Sequence, residues 1–70
     1  MDPILELNAV VEDLTDKIQD NEELIKSYQN QHLSDFERKQ LELIKQQSKK
    51  MSELRHILIQ RIRLNEKDVD

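Results

Sequence analysis

The chain has 70 residues, of which 37% are charged and 36% are hydrophobic, and its formal net charge is -4 at pH 7. This length allows one small domain, and the high charged fraction makes that domain too polar to enclose a large core. The sequence contains no glycine, no cysteine and a single proline, which excludes disulfides and thiolate zinc sites and favours an all-α fold built from strong helix formers.

The N-terminal residues predict the start of a helix. Asp2 is a suitable N-cap, and Pro3 fits the first helical position because its missing N–H would have no partner there. This end lacks the apolar region of a signal peptide, and no stretch approaches the roughly 20 apolar residues of a membrane span. We therefore expect an intracellular, cytoplasmic protein without membrane contact.

The first predicted helix covers residues 3 to about 30 and has one regular apolar seam. Residues of this seam recur at alternating steps of three and four, which is the heptad spacing of coiled coils. The predicted seam consists of Ile4, Leu7, Val11, Leu14, Ile18, Asn21, Ile25, Tyr28 and His32.

A turn is predicted at residues 31 to 34. Ser34, Asp35, Phe36 and Glu37 match a capping box, in which the Ser and Glu side chains satisfy each other's backbone amides. So short a connection predicts an antiparallel two-helix hairpin, coiled-coil-like, as a single domain over residues 1–70. One continuous helix is the alternative, because no glycine or proline forces a turn here.

The second predicted helix covers residues 35 to about 66 and precedes a short flexible tail, 67–70. It carries two apolar tracks rather than one. The first track reads Leu41, Ile44, Ser48, Met51, Arg55, Leu58 and Ile62. The second reads Phe36, Leu43, Gln47, Lys50, Leu54, Ile57, Arg61 and Leu64. Together they cover more of the helix circumference than one neighbouring helix can hide.

Charge is divided unevenly between the two halves. Residues 1–33 carry eight acidic and two basic side chains, and residues 34–66 carry five acidic and eight basic ones. A hairpin folded about residue 32 or 33 would bring Asp20 near Lys45 and Asp16 near Lys49. We expect such pairs to select the direction of packing more than to stabilise it, because an exposed pair contributes under about 1 kcal/mol.

The excess apolar surface predicts a non-enzymatic protein–protein interaction module, such as a small regulator, a chaperone or an assembly subunit. We expect it to form a four-helix bundle, either as a homodimer or by docking on helices of another protein. The expected interface lies at the open end of the hairpin and comprises Ile4, Leu7, Val10, Val11, Leu54, Ile57, Leu58, Ile59, Ile62 and Leu64.

The alternative function is a dimeric hairpin that binds RNA or DNA through a basic face of the second helix. Its candidate residues are Lys45, Lys49, Lys50, Arg55, Arg61 and Arg63. The acidic net charge and the lack of aromatic residues among these cations count against it. We expect no catalytic residues, no cofactor and no metal site, because His32 lies at the turn and His56 lies far from it.

Overall fold

The computed structural model describes residues 3–67 and consists of two helices packed against each other as a hairpin. Helix α1 spans Pro3–Gln29 and helix α2 spans Asp35–Lys67. The first helix thus ends one residue before the expected position, and Lys67, expected in the tail, is the last residue of α2. The predicted Asp2 cap and the rest of the tail lie outside the described residues. The hairpin is narrow, with extents of 56 × 17 × 14 Å.

The turn contains the capping box that the sequence predicts. The backbone N–H of Glu37 donates to Ser34 Oγ at 3.2 Å, and the N–H of Ser34 donates to Glu37 Oε1 at 3.2 Å. Each side chain satisfies an amide that the start of a helix leaves without a backbone partner. The local prediction is therefore confirmed, and the chain forms a hairpin rather than one continuous helix.

The core seam is a single line of buried and half-buried side chains along each helix. In α1 it follows the predicted heptad positions up to Tyr28, whereas His32 lies beyond the helix and is exposed. In α2 it follows the first predicted track, Leu41 to Ile62, so this track faces α1. The most buried side chains are between 7 and 9% exposed and lie towards the open end: Leu7, Leu14, Leu58 and Ile62.

The register of the two helices differs from the expected one. Folding about residue 32 or 33 would place Lys50 opposite Thr15, but Arg55, five residues further along α2, donates its Nε–H to Thr15 Oγ1 at 2.7 Å. The expected pairs of Asp20 with Lys45 and of Asp16 with Lys49 do not form. The described part of the chain has two ion pairs, one within α1 and one within α2, and neither joins the two helices.

Burial of the seam explains this register. The expected register would set Ile25 level with Gln40, whereas the observed one sets it beside Ile44 and Lys45, of which Ile44 is a half-buried seam residue. Each such apolar side chain contributes about 1.5 to 3 kcal/mol when fully buried, which exceeds the contribution of an exposed ion pair. Since α2 has 33 residues and α1 has 27, the first turns of α2 extend beyond the end of α1.

Candidate functional site

Helix α2 carries a second line of apolar side chains that the packing on α1 leaves largely exposed. Four large hydrophobic residues and one lysine recur at intervals of seven residues, and the hydrophobic ones are between 53 and 70% exposed. We refer to these five residues as the outer stripe: Phe36, Leu43, Lys50, Ile57 and Leu64. They extend over 28 residues, or about 42 Å of helix.

The outer stripe belongs to one side of the hairpin. At about 100° per residue it lies roughly 130° around α2 from the core seam. The exposed side chains of Val10 and Leu24 on α1 and of Leu54 on α2 lie between the seam and this stripe, on the same side. We call this the apolar side. Among the large hydrophobic residues exposed in the described part of the chain, only Leu5 lies away from it.

The structure divides the predicted open-end interface into three groups. Leu7, Leu58 and Ile62 are buried in the core of the hairpin itself. Ile4 and Val11 are partly buried and pack against that core, and Ile59 is half-buried. The remaining residues are exposed on the apolar side: Val10, Leu54, Ile57 and Leu64.

Phe36 and Leu43 were missing from the predicted interface, although they are among the most exposed hydrophobic side chains. Both belong to the second predicted track. Phe36 precedes Leu43 by seven residues, and Leu43 precedes Ile57 by fourteen, so their heptad spacing could have identified them as part of the interface. The candidate surface therefore extends along the whole of α2 and is not confined to the open end.

The opposite side of the hairpin is polar. A groove of about 510 Å³ runs between the helices there, and its lining includes Thr15, Glu22, Glu23, Lys26, Ser52 and Arg55. Arg55 is half-buried at a seam position, and its Nε–H donates to Thr15 Oγ1, which in turn donates to the carbonyl oxygen of Val11 at 2.8 Å. The guanidinium is thus held by a hydroxyl and belongs to neither ion pair of the described residues.

The cations proposed for nucleic-acid binding do not share one face. Lys45, Lys49 and Arg63 lie on the polar flank of α2, whereas Lys50 and Arg61 lie on the apolar side. Arg55 points into the seam between the helices. A phosphate backbone would need these charges along one continuous line, and the structure spreads them around α2 instead.

The titratable side chains are dispersed along the hairpin. His32 and His56 are both exposed and belong to different ends of the molecule. Residues 3–67 contain no group of three or more His, Cys, Asp or Glu side chains arranged to hold a metal ion. Within the same residues, neither helix has a stretch apolar enough to cross a lipid bilayer.

Comparisons with known proteins do not identify a relative of this chain. No protein-family model matches the chain, and neither does any curated protein or solved structure. The exposed apolar side is therefore the feature of the described residues that most strongly indicates a function.

Proposed function

We propose that this hairpin is a non-enzymatic protein-interaction module that binds helices through its apolar side. The observation that carries the proposal is the outer stripe, a heptad-spaced line of large hydrophobic side chains left exposed on α2. Heptad spacing on an exposed helix face is the pattern by which helices pack on other helices. The regulator, chaperone and assembly-subunit roles expected from the sequence all use such a surface.

The free energy available at this surface is large enough for binding. Full burial of a Leu, Ile or Phe side chain contributes about 1.5 to 3 kcal/mol, so covering the exposed parts of the four hydrophobic stripe residues returns about 4 to 7 kcal/mol. Association itself costs at least about 4 kcal/mol in lost freedom. A partner that contributes its own apolar surface adds to this return, so the surface favours an apolar partner over a polar one.

The shape of the hairpin supports an interaction role over catalysis. Its cross-section of 17 × 14 Å is that of two helices side by side, and the seam between them is filled by their own side chains. A catalytic pocket needs converging polar groups in a concave site that excludes water. The grooves beside the seam are shallow for that purpose, since they lie on a body only two helices wide.

The proposal is tested by capture with a variant that changes only the stripe. Tagged wild-type chain, an L43E/I57E variant and an S52E/H56E control would each be incubated with extract of the native host, and the bound proteins identified by mass spectrometry. The control adds the same charge to exposed positions on the polar flank of α2. We expect the wild type and the control to retain the same protein, and the stripe variant to retain at least about tenfold less.

Retention must be reproduced with the purified partner, which is either another protein or the untagged chain itself. Equal retention by the wild type and the stripe variant would contradict the proposal, because binding would then not depend on the apolar side.

A further inference from the structure

We propose that the partner of the apolar side is a second copy of this chain. The two copies pack α2 against α2 in antiparallel orientation, with a two-fold axis passing beside Lys50. This inference rests on the proposed interaction function and names its partner. It follows from the symmetry of the outer stripe, from the surface available for burial and from the polar character of the matching row on α1.

The outer stripe is self-complementary when reversed. Its residues are spaced evenly on both sides of Lys50, with two large hydrophobic side chains before it and two after it. An antiparallel copy centred on Lys50 therefore places Phe36 level with Leu64 of the second copy and Leu43 level with its Ile57. A two-fold interface uses the same surface on both partners, and this stripe satisfies that requirement without a shift.

The chain also has the surface that such a dimer needs. Its accessible area is 5865 Å², whereas a compact monomer of this mass would expose about 4600 Å². Its radius of gyration is 16.1 Å, compared with about 11 Å for a compact domain of the same length. A stable interface buries about 800 Å² on each partner, so pairing along α2 removes surface that the elongated hairpin leaves exposed.

Helix α1 does not offer a comparable surface. The row of α1 that corresponds to the outer stripe carries Glu6, Asp13, Asp20 and Ser27, all exposed. If α2 packed on α1 of the second copy, Ile57 and Leu64 would lie level with Asp13 and Glu6, whose carboxylates would lose water. That arrangement gains one ion pair, Asp20 with Lys50, but an exposed pair adds little. The α2–α2 arrangement is therefore the more favourable of the two, because it buries apolar side chains without desolvating these carboxylates.

Lys50 at the centre acts as a register marker. Its Nζ lies 3.6 Å from Glu53 Oε2 of the same helix, and the side chain is 79% exposed, so its charge reaches solvent beside the stripe. In the proposed register the two Lys50 side chains flank the axis, where solvent and Glu53 of each chain weaken their repulsion. A shift of the α2–α2 contact by one heptad would instead set Lys50 against Leu43 or Ile57 and leave one end residue of each stripe without a partner. A single polar residue in an apolar line fixes register in this way, at some loss of stability.

The arrangement is tested by cross-linking, because the wild-type chain has no cysteine. A K50C variant places one thiol beside the proposed axis, and a K49C control loses the same charge one position away, on the polar flank. At about 10 μM chain in a glutathione redox buffer, we expect at least about tenfold more disulfide-linked dimer from K50C than from K49C.

Three results would overturn the inference. The first is equal dimer yield from K50C and K49C. The second is preferential cross-linking of K50C chains with D20C chains in a mixture, which would show α2 packed on α1. The third is a monomeric wild-type chain in the purified state. If that monomer still captures another protein through Leu43 and Ile57, the interaction function stands and only the second copy is refuted.

Discussion

At the scale of single residues, polar side chains decide how tightly the seam packs. Arg55 occupies a position between Met51 and Leu58 where an apolar side chain would pack, and its observed partner is the Thr15 hydroxyl. A half-buried guanidinium without a carboxylate partner loses hydration that one hydrogen bond only partly replaces. Its contribution is therefore to register, since it meets Thr15 in only one alignment of the helices.

Replacing Arg55 by leucine should stabilise the hairpin. We expect R55L to raise the free energy of unfolding by about 1 kcal/mol, because the guanidinium is removed from the seam and an apolar side chain takes its place. Urea denaturation at one fixed chain concentration measures this change. R63L is the matched control, since Arg63 is exposed, and it should change stability by less than about 0.5 kcal/mol. A less stable R55L would show that the Arg55–Thr15 bond outweighs the desolvation.

At the scale of the helices, the sequence predicts local features well and long-range features less well. The capping box and the heptad seam depend on residues within a few positions of one another, so both were predicted correctly except at His32, which lies beyond the end of α1. The register was not, because counting outward from Ser34 assumes that both helices end level at the turn. The structure instead lets α2 extend past α1, which keeps apolar layers together.

The position of the outer stripe relative to α1 also depends on long-range packing and could not be predicted from local spacing. Two tracks on α2 were visible in the sequence, but neither was clean enough to show which one faces α1, because Arg55 interrupts the first and Lys50 the second. Only the packed helices separate the buried Leu58 and Ile62 from the exposed Phe36 and Leu43. Helix spacing alone thus predicted the fold, and tertiary contact was needed to locate the candidate surface.

Loss of the cap at Ser34 should destabilise the hairpin. S34A removes the acceptor of the Glu37 amide, and we expect it to lower the free energy of unfolding by about 1 kcal/mol, which corresponds to a fall in Tm of about 4 to 8 °C. Thermal unfolding followed by circular dichroism measures it. S52A is the control, because Ser52 lies within α2 and alanine favours helix. An unchanged Tm for S34A would mean that the cap is not needed for the turn.

At the scale of the whole molecule, the hairpin leaves one of its sides apolar and uncovered. Its most exposed hydrophobic side chains lie on one side, and its best-buried ones are only four in number among the described residues. Two antiparallel helices meet only along one seam, so α2 needs another neighbour to bury its second apolar line. In the proposed dimer folding and association are coupled, so we expect Tm to rise with chain concentration.

The most direct test of this account is the mass of the purified chain by sedimentation equilibrium at about 10 μM. We expect the wild type and the S52E/H56E control to have twice the 8.4 kDa chain mass. The L43E/I57E variant, whose changes lie at exposed positions, should have the mass of a single chain, with affinity reduced at least about 100-fold. A wild-type chain that stays fully helical at 8.4 kDa up to about 100 μM would contradict the account.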